Sequence, residues 1–358
     1  MEKLLTAGPV SLDARVLRAL SEPLTSHREE GFRKIVGEIE EGLKRAYGTS
    51  DGVVCILSGS GTLAVDAMVN SIVGRGENVL LVSHGEFGNR LCDSISRRGA
   101  RPTKISASEG NAVGEASVYE AIESGRYDTL AMVYTETSIG MAHRSSDKMG
   151  KFAKEHGLKV IVDAASAMFG EDLTLDAGCF DAVSTCSQKC LAAPPGIALV
   201  GLSEEAVEIA GRAECASRYL DLGLYAKKMN EGYDLPQTPA VSLFYGLREA
   251  LRIMLDAGMN EWMEKHRRLA AELYSRLPEY GYARVVKDGR FLSNSVAAFE
   301  VPHGCTAESV TGRLREGGYV VSEGMGSLKG KAIRIGTMGD ISREDISDVI
   351  SILQDLVG

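Results

Sequence analysis

Ser187-Gln188-Lys189-Cys190-Leu191-Ala192-Ala193-Pro194-Pro195-Gly196 is the stretch whose reading decides the fold. It sets one lysine in a short polar turn between two apolar runs, Phe180–Cys186 and Ile197–Leu202. The Ala-Ala-Pro-Pro-Gly that follows is apolar and stiff, which fits a wall better than a solvated loop. Upstream, Leu158-Lys159-Val160-Ile161-Val162-Asp163 is an apolar run that stops on a carboxylate. Short apolar runs bounded by turn residues predict buried strands, so the lysine and the aspartate both follow strand ends.

Outward from there, strand-like and helix-like segments alternate. Val53–Leu57, Asn78–Val82, Pro102–Ile105, Thr129–Thr135, Lys159–Val162, Asp181–Thr185 and Ile197–Val200 read as strands. Thr62–Val73, Phe87–Arg97, Ser117–Glu123 and Asp147–His156 read as helices between them. This pattern predicts an α/β fold with a mostly parallel sheet, whose ligands bind at the carboxyl ends of the strands. Ahead of it, Met1–Val10 reads as an extended arm, with helices over Leu12–Leu20 and Phe32–Tyr47. Beyond Leu202, Glu204–Arg212 is helical, Ser217–Pro239 irregular, and Val241–Leu255 and Asn260–Leu277 are long amphipathic helices. The tail mixes strands (Ser295–Val301, Tyr319–Ser322, Ala332–Gly336) with helices (Ala307–Glu316, Arg343–Leu356), predicting a smaller C-terminal α/β domain. The expected division is an arm at 1–14, a large domain at 15–256 and a small domain at 257–358.

Composition narrows the function classes. A net charge of −9 argues against a nucleic-acid partner. Seven cysteines, an odd number without ligand spacing, fit a reducing compartment and no metal site. No apolar run of about 18 residues occurs, and Met1–Val10 lacks a signal-peptide core. The expectation is a soluble, cytoplasmic protein with no membrane partner.

The chemistry-bearing motifs each carry a bland alternative. Ser58-Gly59-Ser60-Gly61-Thr62 between a strand and a helix makes a phosphate cradle, or a plain capped turn. Gly59-Ser60-Gly61-Thr62-Leu63-Ala64 also satisfies a dinucleotide fingerprint. That fold requires an acid at the end of the second strand, where Ser83-His84-Gly85 stands, so the dinucleotide reading loses. Phe87 either stacks on a ring or belongs to the core. Tyr134-Thr135-Glu136-Thr137-Ser138-Ile139-Gly140 offers polar groups to a ligand, or is a solvated loop. Asp163, followed by small residues, either faces a cation in a flat cavity or caps a helix. Arg334 between Ile333 and Ile335 either pairs with a structural acid or awaits a carboxylate ligand, with Gly324-Met325-Gly326 nearby. A turn lysine and a strand-end aspartate together suit pyridoxal 5'-phosphate (PLP). The lysine makes the covalent link, and the aspartate pairs with the pyridine nitrogen so that the ring accepts electrons.

In this order and spacing the motifs resemble the class V, fold-type I PLP-dependent aminotransferases, and most the alanine–glyoxylate / serine–pyruvate group. The resemblance runs from Ala7-Gly8-Pro9 through Gly59–Thr62, Ile161–Asp163 and Ser187–Gly196. It continues in Tyr219-Leu220-Asp221, Ser242–Glu249 and Ile333–Gly336. It implies that Lys189 carries the cofactor and moves the proton at the substrate Cα. Asp163 would hold the pyridine nitrogen, Phe87 and Ala165 would sandwich the ring, and Thr137 would face the ring hydroxyl. Ser60, Gly61, Thr62 and Gln188 would bind the phosphate, with Thr238 of a second copy. Arg334 would clamp the substrate carboxylate, with Gly8 beside it. A homodimer with the site at the subunit interface is implied, acting on a small amino acid (alanine or serine) and a 2-oxo acid (glyoxylate or pyruvate).

Two positions depart from the family: Phe87 stands where Trp is frequent, and Leu235 where a tyrosine is common, with Tyr233 close by as a substitute. The competing activity within the family is 2-aminoethylphosphonate–pyruvate transamination; Ser187-Gln188-Lys189 tilts against it. A cysteine desulfurase would need a His where Gln188 stands and a mobile cysteine, for which Cys305 is the tail's one candidate. A PLP-fold scaffold without chemistry fits poorly, because Lys189 and Asp163 are both present.

Overall fold

The computed structural model describes residues 2–357; Met1 of the expected arm and Gly358 of the expected small domain lie outside the described residues. The arm forms β1 (Lys3–Leu4), followed by α1 (Ala14–Ala19) and α2 (Glu30–Tyr47). Then come β2 (Val53–Ser58), α3 (Gly61–Ile72), β3 (Asn78–Ser83), α4 (Glu86–Arg98), β4 (Arg101–Ser106) and α5 (Glu115–Ser124). Next are β5 (Thr129–Val133), the short pair β6 (Thr135–Glu136) and β7 (Met141–Ala142), and α6 (Ser146–Glu155). β8 (Lys159–Asp163), β9 (Ala182–Cys186) and β10 (Ile197–Leu202) follow.

Seven strands make one sheet in the order β2-β10-β9-β8-β5-β3-β4. β10 is antiparallel to both neighbours, and β9, β8, β5, β3 and β4 run parallel. β2, paired across the antiparallel β10, therefore points the same way as the parallel set. Consequently Ser58, Ser83, Val133, Asp163 and Cys186 all end on one rim. β5, β9 and β10 are buried along their whole length, as a sheet covered by helices on both faces requires. β4, with Arg101 and Lys104 exposed, is the charged edge that discourages further pairing.

The segment expected to be irregular contains a helix. After α7 (Glu204–Arg212), α8 (Leu222–Asn230) starts where the Asp221 carboxylate accepts the Leu224 N–H at 3.0 Å. It buries Leu222, Tyr225, Ala226 and Met229, one helical face. α9 (Val241–Ala257) and α10 (Met259–Arg276) then lead to β11 (Ala283–Arg284), β12 (Val296–Glu300) and α11 (Ala307–Glu316). The chain closes with β13 (Tyr319–Val320), β14 (Ser322–Glu323), β15 (Ala332–Gly336) and α12 (Arg343–Asp355). The expected strand Tyr319–Ser322 is two strands, because Tyr319–Val320 pairs parallel with β1 whereas Ser322–Glu323 pairs antiparallel with β15.

A second hydrophobic core lies on the sheet β11-β12-β15-β14 and includes Leu273, Phe299, Leu314, Ile335 and Leu353. Leu5 of the arm belongs to it, fully buried; such a side chain contributes about 1.5–3 kcal/mol. The Gly336 N–H donates to Leu5 O at 2.7 Å, and a Cβ on Gly336 would lie 1.9 Å from Thr6 O, so only glycine lets the arm pass. Arg144, which follows β7, bonds the buried Glu171 at 2.8 Å, and Glu171 also accepts the N–H of Asn294, which precedes β12, at 2.6 Å. Among the described residues no helix is long and apolar enough to cross a membrane, and no cluster of three metal-ligating side chains occurs.

Candidate active site

A cavity of about 170 Å³ opens on the rim where the parallel strands end. Ser60, Gly61, Thr62, Phe87, Thr137, Asp163, Ala165, Gln188 and Lys189 line it, so residues from separate strand ends meet in one place. Each is set by its backbone. Ser60 is the N-cap of α3 without a side-chain bond to the helix, so the first-turn amides of α3 face outward as anion donors. Asp163 ends β8; its Oδ1 accepts the Ala165 N–H at 2.9 Å, and Oδ2 makes no hydrogen bond among the described residues.

The lysine loop is pinned by Ser187. Its N–H donates to Ile197 O at 3.0 Å, its hydroxyl donates to Pro194 O, and its carbonyl accepts the Ala193 N–H at 3.0 Å. The loop holds Ala192 at φ +55°, a conformation that costs about 1–2 kcal/mol for a non-glycine residue and must be held by its surroundings. Behind the loop, the indole N–H of Trp262 donates to Cys190 O at 2.9 Å. Lys189 Nζ donates to Ala7 O of the arm, and a Cβ on Gly8 would lie 2.7–2.8 Å from the end of the Lys189 side chain.

Electrostatics follow burial. Asp163, 6% exposed, is pushed up to about 6, mainly by desolvation and further by the Glu136 charge, against the Ala165 N–H bond and Lys189. Burial lowers Lys189, favouring the neutral amine that can act as nucleophile or base. Arg334, 8% exposed, has no carboxylate within salt-bridge distance among the described residues. It donates through Nε to Glu323 O at 2.8 Å and through Nη1 to Thr137 O at 3.3 Å. Nη2 keeps no protein partner among the described residues. Of the two readings of Arg334, the geometry therefore favours a ligand carboxylate over a structural acid.

Thr238 does not line this cavity; it is exposed, with its hydroxyl 3.4 Å from the His27 ring. Tyr233 packs its ring on Gly37 of α2, and Leu235 is buried. Several lining residues escaped the sequence reading, Arg90, Ser94 and Ser166 among them, and two of the others bear on the chemistry. Thr135 presents a buried hydroxyl with no partner among the described residues, and Cys186 sits against Gly61 under the phosphate cradle. Thr135 stood in the quoted motif, and only its orphaned oxygen distinguishes it from its neighbours.

These groups fit PLP: uncapped helix amides for a phosphate, an unpaired carboxylate oxygen for a pyridine nitrogen, an aromatic ring, and a lysine with a lowered pKa. Fold and cavity together define a fold-type I, PLP-dependent enzyme. The chain belongs to the class V aminotransferase family, whose sequence model matches residues 9–349. It is 31% identical to an uncharacterized aminotransferase of Methanocaldococcus jannaschii, over 96% of this chain and 89% of the relative. Its structure resembles alanine–glyoxylate aminotransferase from Nostoc sp. with a TM-score of 0.94, at 30% identity over 100% of this chain and 95% of the other. Aspartate aminotransferase of subgroup IV from Thermus thermophilus superposes with a TM-score of 0.91, at 30% identity and 99% coverage of both chains.

Proposed function

We propose that the protein transfers the amino group of alanine or serine to glyoxylate or pyruvate, in a ping-pong cycle on PLP held in this cavity. The single observation that carries the reading is Lys189, Asp163 and the α3 amides sharing one cavity, with the unpaired Arg334 beside Thr137. PLP, when bound, supplies the electron sink that makes the substrate Cα proton removable.

The chain's own residues do the rest. Asp163 holds the proton at the pyridine nitrogen. Lys189 would hold the cofactor through Nζ, and the same amine, lowered by burial, is the group placed to move the proton at the substrate Cα. Ser60, Gly61, Thr62 and Gln188 bind the phosphate, and Thr137 orients the ring hydroxyl. Phe87 and Ala165 fix the ring plane and exclude water from its faces. Arg334 offers Nη2 to the substrate carboxylate, which orients the Cα bond relative to the ring. Gly8 keeps the arm close to the lysine, which favours donors with small side chains.

A homodimer is part of the proposal: Thr238 is exposed and does not line its own cavity, which leaves it available to a second copy's phosphate site. So are a large domain at 15–256, which supplies most of the first core, and a small one at 257–358, which supplies most of the second, with Trp262, Val296 and Met338 reaching into the first. The test is borohydride reduction of PLP-loaded protein, expected to leave a phosphopyridoxyl label on Lys189. A donor panel with pyruvate and glyoxylate as acceptors follows, including aspartate, 2-aminoethylphosphonate and cysteine. No label on Lys189, or turnover confined to one of those last three donors, would overturn the reading.

A further inference from the structure

We propose that Glu136 is a positioning residue for the stacking face of the cofactor site: its carboxylate takes up the N-terminus of α4 and so holds Phe87 in place. The proposal rests on reading the cavity as a PLP site.

Glu136 ends β6 and is 1% exposed, and no lysine, arginine or histidine forms an ion pair with it among the described residues. A buried carboxylate without a cation is costly unless hydrogen bonds surround it. Here they do. Oε2 accepts the Phe87 N–H at 3.1 Å and the Gly88 N–H at 3.0 Å, and Oε1 accepts the Ser138 N–H at 3.2 Å and the Ser138 hydroxyl.

The Phe87 and Gly88 amides belong to the first turn of α4, where no intrahelical acceptor exists. The residue at the N-cap, Gly85, has no side chain to take their place. Glu136 thus caps the helix from a distant strand end, and its charge complements the helix dipole. On the other side of α4, a Cβ on Gly88 would lie 2.1 Å from Ser83 Oγ, so the first turn is also pressed against the end of β3. Phe87 is held by its own amide between these two contacts, with the Arg90 guanidinium 4.9 Å from its ring centroid.

The same carboxylate turns the peptide that carries Thr137, whose carbonyl accepts from Arg334. The negative charge raises Asp163 and offsets part of the desolvation of the buried Arg334 guanidinium. A single anion therefore ties together the stacking ring, Thr137 and the arginine.

The test is a double-mutant cycle on apo-protein titrated with PLP, followed by the fluorescence of Trp262 and by the visible circular dichroism of the bound cofactor. E136A and F87A are each expected to weaken PLP binding about tenfold, the upper range of an aromatic stack. The double variant is expected to lose no more than about threefold beyond the weaker single, because Glu136 acts through Phe87. E136Q keeps the shape and one acceptor oxygen. With an unchanged far-ultraviolet spectrum it should bind about threefold more weakly and lose part of the visible dichroism, so the cycle stands even if E136A does not fold. Binding by E136Q and E136A within about twofold of wild type, or fully multiplicative losses in the double variant, would overturn the proposal. If wild-type protein took up no PLP, the cofactor reading would fall first, and this proposal with it.

Discussion

Replacing Gly8 by alanine probes the contact on which the lysine's placement depends. Gly8 has φ +102°, and a Cβ there would lie 2.7 Å from Lys189 Cδ and 2.8 Å from Cε and Nζ. An L-residue in that region of backbone space costs about 1–2 kcal/mol, and forcing a methyl into filled space costs a further ~1–3 kcal/mol. Either the arm lifts or the lysine turns aside. The arm is anchored by the buried Leu5, whose N–H donates to Val320 O at 2.8 Å and whose carbonyl accepts from Gly336 at 2.7 Å. The lysine is the softer partner. If only about 1.4 kcal/mol of the strain falls on its placement, formation of the covalent link drops tenfold. The assay is borohydride trapping at sub-saturating PLP with mass-spectrometric reading of Lys189, beside thermal melting of the apo-protein. G8A is expected to label at least about tenfold less and to melt about 2–4 °C lower. Wild-type labelling with an unchanged melting point would refute the close-contact argument.

Other perturbations read other parts of the site. Asp163 is raised in the folded state from 3.8 to about 6, so folding binds an extra proton between those values and stability falls as pH rises through them. D163N removes that penalty: above about pH 7 its apo-form should be more stable than wild type by roughly 2–3 kcal/mol. The difference should vanish near pH 4, while PLP binding is lost; urea melts at several pH values check it. R144M strands the buried Glu171 carboxylate and is expected to cost about 2–3 kcal/mol at neutral pH. Burial raises Glu171, so the loss should shrink as pH is lowered and the acid takes up a proton. Trp262 is the one tryptophan in the chain and bonds the carbonyl next to Lys189, so PLP binding should quench nearly all intrinsic tryptophan emission, whereas W262F should lose the signal and about 1 kcal/mol of stability.

The rim was legible in the sequence because apolar runs stop abruptly there: Val160–Val162 on Asp163, and Phe180–Cys186 before Ser187. Buried strands need such runs, and the polar residue that ends each one marks the ligand side. α8 was missed although Asp221 and the spacing of Leu222, Tyr225, Ala226 and Met229 announce a capped amphipathic turn; its neighbours' polarity masked nine residues of helix. Glu136 could not be read locally. In sequence it sits in a polar segment, and although Ser138 donates to it locally, the helix amides that it caps lie 48 and 49 residues away. The split of Tyr319–Ser322 has the same origin, since the partner of Tyr319 is Lys3.

That pairing has a consequence for how the enzyme matures on the ribosome. The arm is synthesised well before the strands that seat it, β13 and β15. Until then Ala7 and Gly8 have no track along which to reach Lys189. Lys189 can be covered by the arm only after residue 336 has left the exit tunnel, so a ribosome stalled before that point should display an open pocket.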